Sequence, residues 1–158
     1  MRDANVRSME AAMHKLVDVD PRTVLQNGEG FLFVDRVLDE GPGWVETEWV
    51  VEGPAGFFRG FGEDLYLPAT FQTEHVVQSG ELLIYQVYGA TPESDGIGVL
   101  SRIRNGRYRR MVRPGDVLRT RVELSEQVGP AYYLSAVVRH GDGGKVLTCE
   151  LAYTATTA

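Results

Sequence analysis

Apolar and polar positions alternate most regularly over residues 44–51. Val45, Thr47, Trp49 and Val51 fall on one side and Trp44, Glu46, Glu48 and Val50 on the other. A period of two predicts a half-buried β-strand. The pattern returns over residues 117–124, where Leu118, Thr120, Val122 and Leu124 oppose Val117, Arg119, Arg121 and Glu123. Residues 31–38 form an apolar-rich run suited to a buried strand, and Gly41-Pro42-Gly43 marks a turn. Residues 97–104 and 106–112 are further candidate strands, the second ending in the turn Arg113-Pro114-Gly115-Asp116. Residues 131–140 and 145–154 flank Gly141-Asp142-Gly143-Gly144, a strong hairpin signal.

Helical spacing shows in two places. Residues 3–17 carry Val6, Met9, Met13 and Leu16 at roughly helical intervals, giving an N-terminal helical segment within residues 1–24. The long candidate is residues 69–88, where Phe71, Val76 or Val77, Leu83 and Val87 can line one face. Pro68 suits a helix N-terminus. Gly80 lies inside this helix at a cost of about 1 kcal/mol relative to alanine, which points to close approach of a neighbouring backbone. Between strand and helix, residues 53–68 read as a Gly- and aromatic-rich loop. The order is strand, strand, long helix, then four or five antiparallel strands. This predicts an α+β fold in which one helix covers one face of an antiparallel sheet.

At 158 residues the chain fits one domain spanning residues 1–158. A net charge of −6 argues against nucleic-acid binding. The single cysteine, Cys149, cannot form an internal disulfide, which suits a reducing cytoplasm. No apolar run is long enough to span a bilayer, so a soluble, cytoplasmic protein without membrane partners is expected. No metal site is expected.

Three collinear segments carry a family resemblance. Phe31-Leu32-Phe33-Val34-Asp35-Arg36-Val37 is the first. The second is Phe57-Phe58-Arg59-Gly60, followed by Leu67-Pro68 and then Glu74 and Gln78. The third is Arg107-Tyr108-Arg109-Arg110 with Pro114-Gly115-Asp116. Together they resemble the P-F-L-L-V-D-R-V, F-F-x-G-H-F-P-G and R-F-R-R-x-V-x-P-G-D segments of the hotdog-fold 3-hydroxyacyl-acyl-carrier-protein dehydratases, the FabZ type. The resemblance implies a curved antiparallel sheet wrapped around the helix that begins near Ala69, and a dimer with active sites at the subunit interface. There a loop histidine removes the α-proton of a 3-hydroxyacyl thioester, facing a carboxylate on the partner's central helix. The acid or a water assists departure of the hydroxyl, while backbone N–H groups near the helix start polarise the thioester carbonyl. No cofactor is implied beyond the phosphopantetheine arm of an acyl carrier protein, which would be a partner.

The chain departs from that pattern at one position. Gly60 aligns with the family glycine, and Phe61 then stands where histidine belongs, or the position is deleted. A phenyl ring cannot exchange a proton, and a positioned acid–base group is worth about 10²–10⁴-fold. The retained carboxylate is Glu74, with Gln78 one turn on along the same helical face. His75 is a candidate replacement base, although it sits about 100° around the helix from Glu74. Phe58, Gly60, Phe61, Tyr66, Pro68 and Ala69 are the candidate substrate-binding residues. Arg102, Arg104, Arg107, Arg109, Arg110 and Arg113 place six of the 16 basic residues within twelve positions. The family analogy makes Arg102, Arg104, Arg107, Arg110 and Arg113 candidates for docking a carrier protein. A solvated strand face explains the same residues. Three functions stand open. The chain is a dehydratase subunit completed by a histidine-bearing hotdog partner, or a self-sufficient homodimer with a rewired site (dehydratase, isomerase or thioesterase), or a non-catalytic module binding acyl chains or carrier protein.

Overall fold

The computed structural model describes residues 14–25, 27–89 and 96–157. Its two periodicities resolve into one helix laid across a six-stranded antiparallel sheet. Strands β1 (Arg36–Gly41) and β2 (Trp44–Val50) form a first hairpin, and β3 (Arg59–Phe61) and β4 (Asp64–Tyr66) a second, separate one. The helix α1 (Ala69–Tyr88) follows. Then come β5 (Gly96–Tyr108), β6 (Val117–Val128), β7 (Ala131–His140) and β8 (Lys145–Thr157). The main sheet runs β1-β2-β6-β7-β8-β5, so the first strand after the helix crosses to the far edge. The expected α+β layout is therefore the one that forms.

Alternation decides what is buried. Val45, Thr47, Trp49 and Val51 are all buried, as are Leu118, Thr120 and Val122 on β6. On the opposite face of β2, Glu48 is held between Arg36 and Arg119, at 2.7 and 3.0 Å. The Arg36 hydrogen bond is the main influence holding its carboxyl below the usual range. The helix seats Val76, Leu82, Leu83 and Ile84 against the sheet. At Gly80 a Cβ would lie 2.6 Å from the Tyr153 hydroxyl, which itself donates to the Val77 carbonyl at 2.7 Å. The close neighbour that excludes a side chain at Gly80 is thus a tyrosine, not a backbone.

Three expectations change. Residues 31–35 are not strand: β1 begins at Arg36, because the Phe33 backbone is claimed by side chains of α1 instead of a neighbouring strand. Residues 97–104 and 106–112 are not two strands. One 13-residue strand runs through Asn105-Gly106, where Asn105 takes a left-handed φ of 52° at a bulge and pairing with β8 continues. Residues 53–68 contain the β3–β4 hairpin, which turns at Gly62. The helix expected over residues 3–17 lies mostly outside the described residues; its described end, residues 14–17, is not helical. There Leu16 is buried, and its N–H donates to Glu40 at 2.8 Å.

Candidate active site

The face of α1 turned away from the sheet carries Glu74, Gln78 and Glu81, since positions i, i+4 and i+7 fall within one narrow sector. Gln78 is fully buried and fixed at three points. Its Oε1 accepts from Phe33 N–H at 2.7 Å, and its Nε2 donates to the Phe31 carbonyl at 3.0 Å and to Glu74 Oε1 at 3.1 Å. The loop before β1 therefore clamps the amide, and the amide orients the half-buried Glu74 carboxylate. The structure brings these two candidates together.

His75 goes elsewhere. Its side chain is 0% exposed; Nδ1 meets the Phe33 carbonyl at 2.5 Å and Nε2 the Thr120 hydroxyl at 2.7 Å. A carbonyl only accepts, so Nδ1 carries the proton and Nε2 accepts from threonine. Burial pushes the imidazole down to about 4, the Phe33 contact opposing only in part. Adjacent in sequence, Glu74 and His75 diverge by one helical step, and His75 stays neutral in the core. His140 pairs with Asp116 and Asp142 at the β7–β8 turn, and His14 packs on Tyr85 near the end of α1. None of the chain's three histidines stands beside Glu74.

The loop that carries Phe61 presents its own chemistry. Phe61 closes β3 at the hairpin tip and is 93% exposed, while Phe58 beneath it is buried. Gly60 is required there: φ is 132°, and a Cβ would meet the Asp64 carbonyl oxygen at 2.0 Å. Phe61, Tyr66, Arg59, Asp64 and Met111 surround a hollow of about 430 Å³. Pro68 caps α1 without any side-chain hydrogen bond, and the first backbone carbonyl contacts come from Phe71 and Gln72 N–H. The N–H groups of Ala69 and Thr70 stand at the positive end of the helix dipole, available to a carbonyl oxygen.

Sequence reasoning passed over Glu81. It is half-buried, with no hydrogen-bond or ion-pair partner among the described residues. Burial, and then the nearby Glu74 charge, push its carboxyl up to about 7. In sequence it looks like any solvated helix glutamate, and only the fold half-buries it on the same face as Glu74. Tyr153, beside Gly80, has its hydroxyl raised well above its ordinary value by burial and then by Glu81 and Glu74. Burial likewise lifts the Cys149 thiol to about 11, as suits a core residue.

The arginine cluster divides. Arg110 pairs with Asp142 at 2.9 Å and Arg113 pairs with Asp64 of the hairpin, both near the end of the sheet where α1 begins. Arg102, Arg104 and Arg107 project from β5 with no ion-pair partner among the described residues. The described residues contain no helix long and apolar enough to cross a membrane.

One helix wrapped by an antiparallel sheet of order β1-β2-β6-β7-β8-β5 is a hotdog fold, and comparison with solved structures agrees. The dehydratase heterocomplex ApeI:P from Xenorhabdus doucetiae superposes with a TM-score of 0.70 at 18% identity, over 91% of this chain and 93% of that one. A thioesterase from Haemophilus influenzae superposes at 0.61 and 16%, over 77% and 78% of the two chains. No family profile matches the chain. A 3-hydroxyacyl-[acyl-carrier-protein] dehydratase FabZ from Clostridium novyi is 32% identical over 126 residues, 78% of this chain and 85% of that protein. The chain belongs to the FabZ family of 3-hydroxyacyl-acyl-carrier-protein dehydratases.

Proposed function

We propose that this chain is one subunit of a dehydratase in a type II fatty-acid or polyketide pathway, acting on 3-hydroxyacyl thioesters of acyl carrier protein beside a histidine-bearing hotdog partner. The observation that carries the reading is the isolation of Glu74. Its carboxylate is oriented by Gln78 on the outward face of α1, while His75 is sealed in the core and Phe61 occupies the loop tip. In this reading the partner's imidazole takes the α-proton. Glu74, entering in its acid form, gives its proton directly or through a water to the departing hydroxyl, leaving the 2-enoyl thioester and water, and the α-proton held on the imidazole then returns to the glutamate. The Ala69 and Thr70 N–H groups hold the thioester oxygen as negative charge develops there. Phe58, Phe61 and Tyr66 supply apolar and aromatic surface to the acyl chain. Arg110 and Arg113, at that end of the sheet, are the docking residues for the carrier protein. A structural neighbour that is itself described as a dehydratase heterocomplex supports the two-chain reading.

The test is turnover of a 3-hydroxyacyl carrier protein by the purified chain alone and by the chain co-expressed with a hotdog dehydratase that keeps G-H-F-P-G. The pair is expected to outpace both the isolated chain and the partner bearing a disabled histidine. Equal rates for the isolated chain and the pair would end the proposal.

One observation favours a second reading, a self-sufficient dehydratase, isomerase or thioesterase. Glu81 places a second proton carrier, with its carboxyl raised to about 7, on the same helical face as Glu74. Activity in the purified chain alone, lost in Glu81→Gln, would favour it.

A further inference from the structure

In an unbroken strand, residues four apart share a face, so Tyr108 would stand with Arg104 on the outside of the sheet. Strand β5 does not run unbroken. Between Arg104, opposite Glu150, and Arg107, opposite Thr148, it carries one residue more than β8. The surplus is taken up at Asn105, whose left-handed φ of 52° makes the bulge. Alternation flips there. Tyr108, the last residue of β5, lies opposite the core residue Leu147 and so points to the helix side. Its hydroxyl meets the Thr73 hydroxyl near the start of α1. Bulges re-aim side chains in this way beside functional sites.

Seen down the helix, Thr73 is turned about 100° to one side of Glu74 and Gln78 about 40° to the other. Glu74 is therefore flanked by an amide and, through Thr73, by a phenol. The direction of the phenol contact follows from the donors. Thr73 has one hydroxyl hydrogen and gives it to the Ala69 carbonyl at 2.8 Å. The hydrogen between the two hydroxyls then comes from Tyr108, whose oxygen keeps its lone pairs. No donor among the described residues reaches that oxygen, and Tyr108 is 47% exposed. Tyrosine stands where the related segment R-F-R-R has phenylalanine, so this acceptor is an addition to that pattern.

We propose that the Tyr108 oxygen accepts a hydrogen bond from the 3-hydroxyl of the substrate and so orients the leaving group toward Glu74. This rests on the dehydratase reading above and adds a substrate-binding residue to it. If Glu74 is to protonate the departing oxygen, a lone pair of that oxygen must face the carboxyl group. The hydroxyl's own hydrogen then points away from Glu74 and needs an acceptor once water is excluded. Tyr108 supplies that acceptor from the side of Glu74 opposite Gln78. No proton moves to or from the phenol, whose hydrogen stays on the bond to Thr73. The substrate's C3–O bond breaks with its electron pair on oxygen, and the Glu74 proton completes the water. An acyl chain without the 3-hydroxyl leaves the Tyr108 oxygen to solvent and gains nothing from it.

The test is binding with turnover switched off. The chain is paired with a hotdog dehydratase whose G-H-F-P-G histidine is replaced by alanine. The complex is titrated with 3-hydroxybutyryl and with butyryl acyl carrier protein, two ligands that differ by one hydroxyl. The unaltered complex is expected to bind the 3-hydroxy form about five- to ten-fold more tightly. Tyr108→Phe keeps the packed ring; it should lose that preference while binding the butyryl form as the unaltered complex does. A tie that merely fastens β5 to α1 would weaken both ligands alike, so an equal loss would overturn the proposal. So would a preference that survives the substitution, or one absent from the unaltered complex. Failure of the unaltered complex to bind either carrier protein would strike the dehydratase reading itself, and this proposal with it.

Discussion

Glu74 and His75 are consecutive residues on one helix, and the two sides they face are built on different terms. The sheet side is largely closed: the His75 imidazole has a partner at each nitrogen, Ser79 meets Thr47 at 2.8 Å, and Tyr153 caps the gap at Gly80. The outward side is left incomplete. Glu74 is steadied by Gln78 alone, and Glu81 is half-buried with no partner among the described residues. Buried polar groups normally come with their partners. The sheet side leaves unpartnered, among the described residues, only the uncharged amide oxygens of Gln72 and Gln86, whereas a side that holds two carboxyl groups against the desolvation of one of them calls for a second molecule.

The contrast can be broken most severely at His75. His75→Ala empties a packed site and strands the Phe33 carbonyl and the Thr120 hydroxyl, so urea unfolding should show a loss of about 3–5 kcal/mol; a loss below about 1 kcal/mol would mean that the imidazole is not structural. Acid is the next lever. The folded-state value of His75 lies near 4 against an ordinary 6.5, so its stabilising contribution is whole above 6.5 and is lost as pH falls toward 4. The difference amounts to about 3 kcal/mol. NMR should find the ring neutral, with the proton on Nδ1, down to about pH 4. Gly80→Ala comes third. Alanine favours helix, yet its methyl would collide with the Tyr153 hydroxyl, so the variant should lose about 1–3 kcal/mol. Tyr153→Phe in the same chain should recover part of that loss, measured as a double-mutant cycle. The last lever tests the outward side. The Glu81 carboxyl is raised, so its contribution is favourable below 4.5 and disappears as pH rises through about 7. Glu81→Gln should therefore be more stable than the unaltered chain at pH 8 and indistinguishable from it below pH 4.5, as read by melting temperature.

Much of the fold could be read in sequence because two elements carried unmixed signals. The helix was bounded by Pro68 and a sustained 3.6-residue period, and β2 by strict alternation. Elsewhere composition was ambiguous about partners. Phe31 to Val34 are apolar as a strand would be, but whether their backbone bonds to a strand or to the side chains of Gln78 and His75 depends on residues more than forty positions away. Asn105-Gly106 has the chemistry of a turn, and only continued pairing with β8 makes it a bulge. At the candidate site, the motif match singled out Glu74 and Gln78, and the helical angle already separated His75 from them. Glu81 belonged to no motif. The arginine cluster looked uniform until Asp64 and Asp142, distant in sequence, took two of its members.

The central claim is that Glu74 supplies the carboxyl half of a site whose imidazole belongs to another chain. The direct measurement is turnover of a 3-hydroxyacyl carrier protein by the paired complex with Glu74→Gln in this chain and the partner's histidine untouched. The account predicts a fall in kcat of at least about a hundred-fold with the complex still assembled. An unchanged kcat in an intact complex would contradict it.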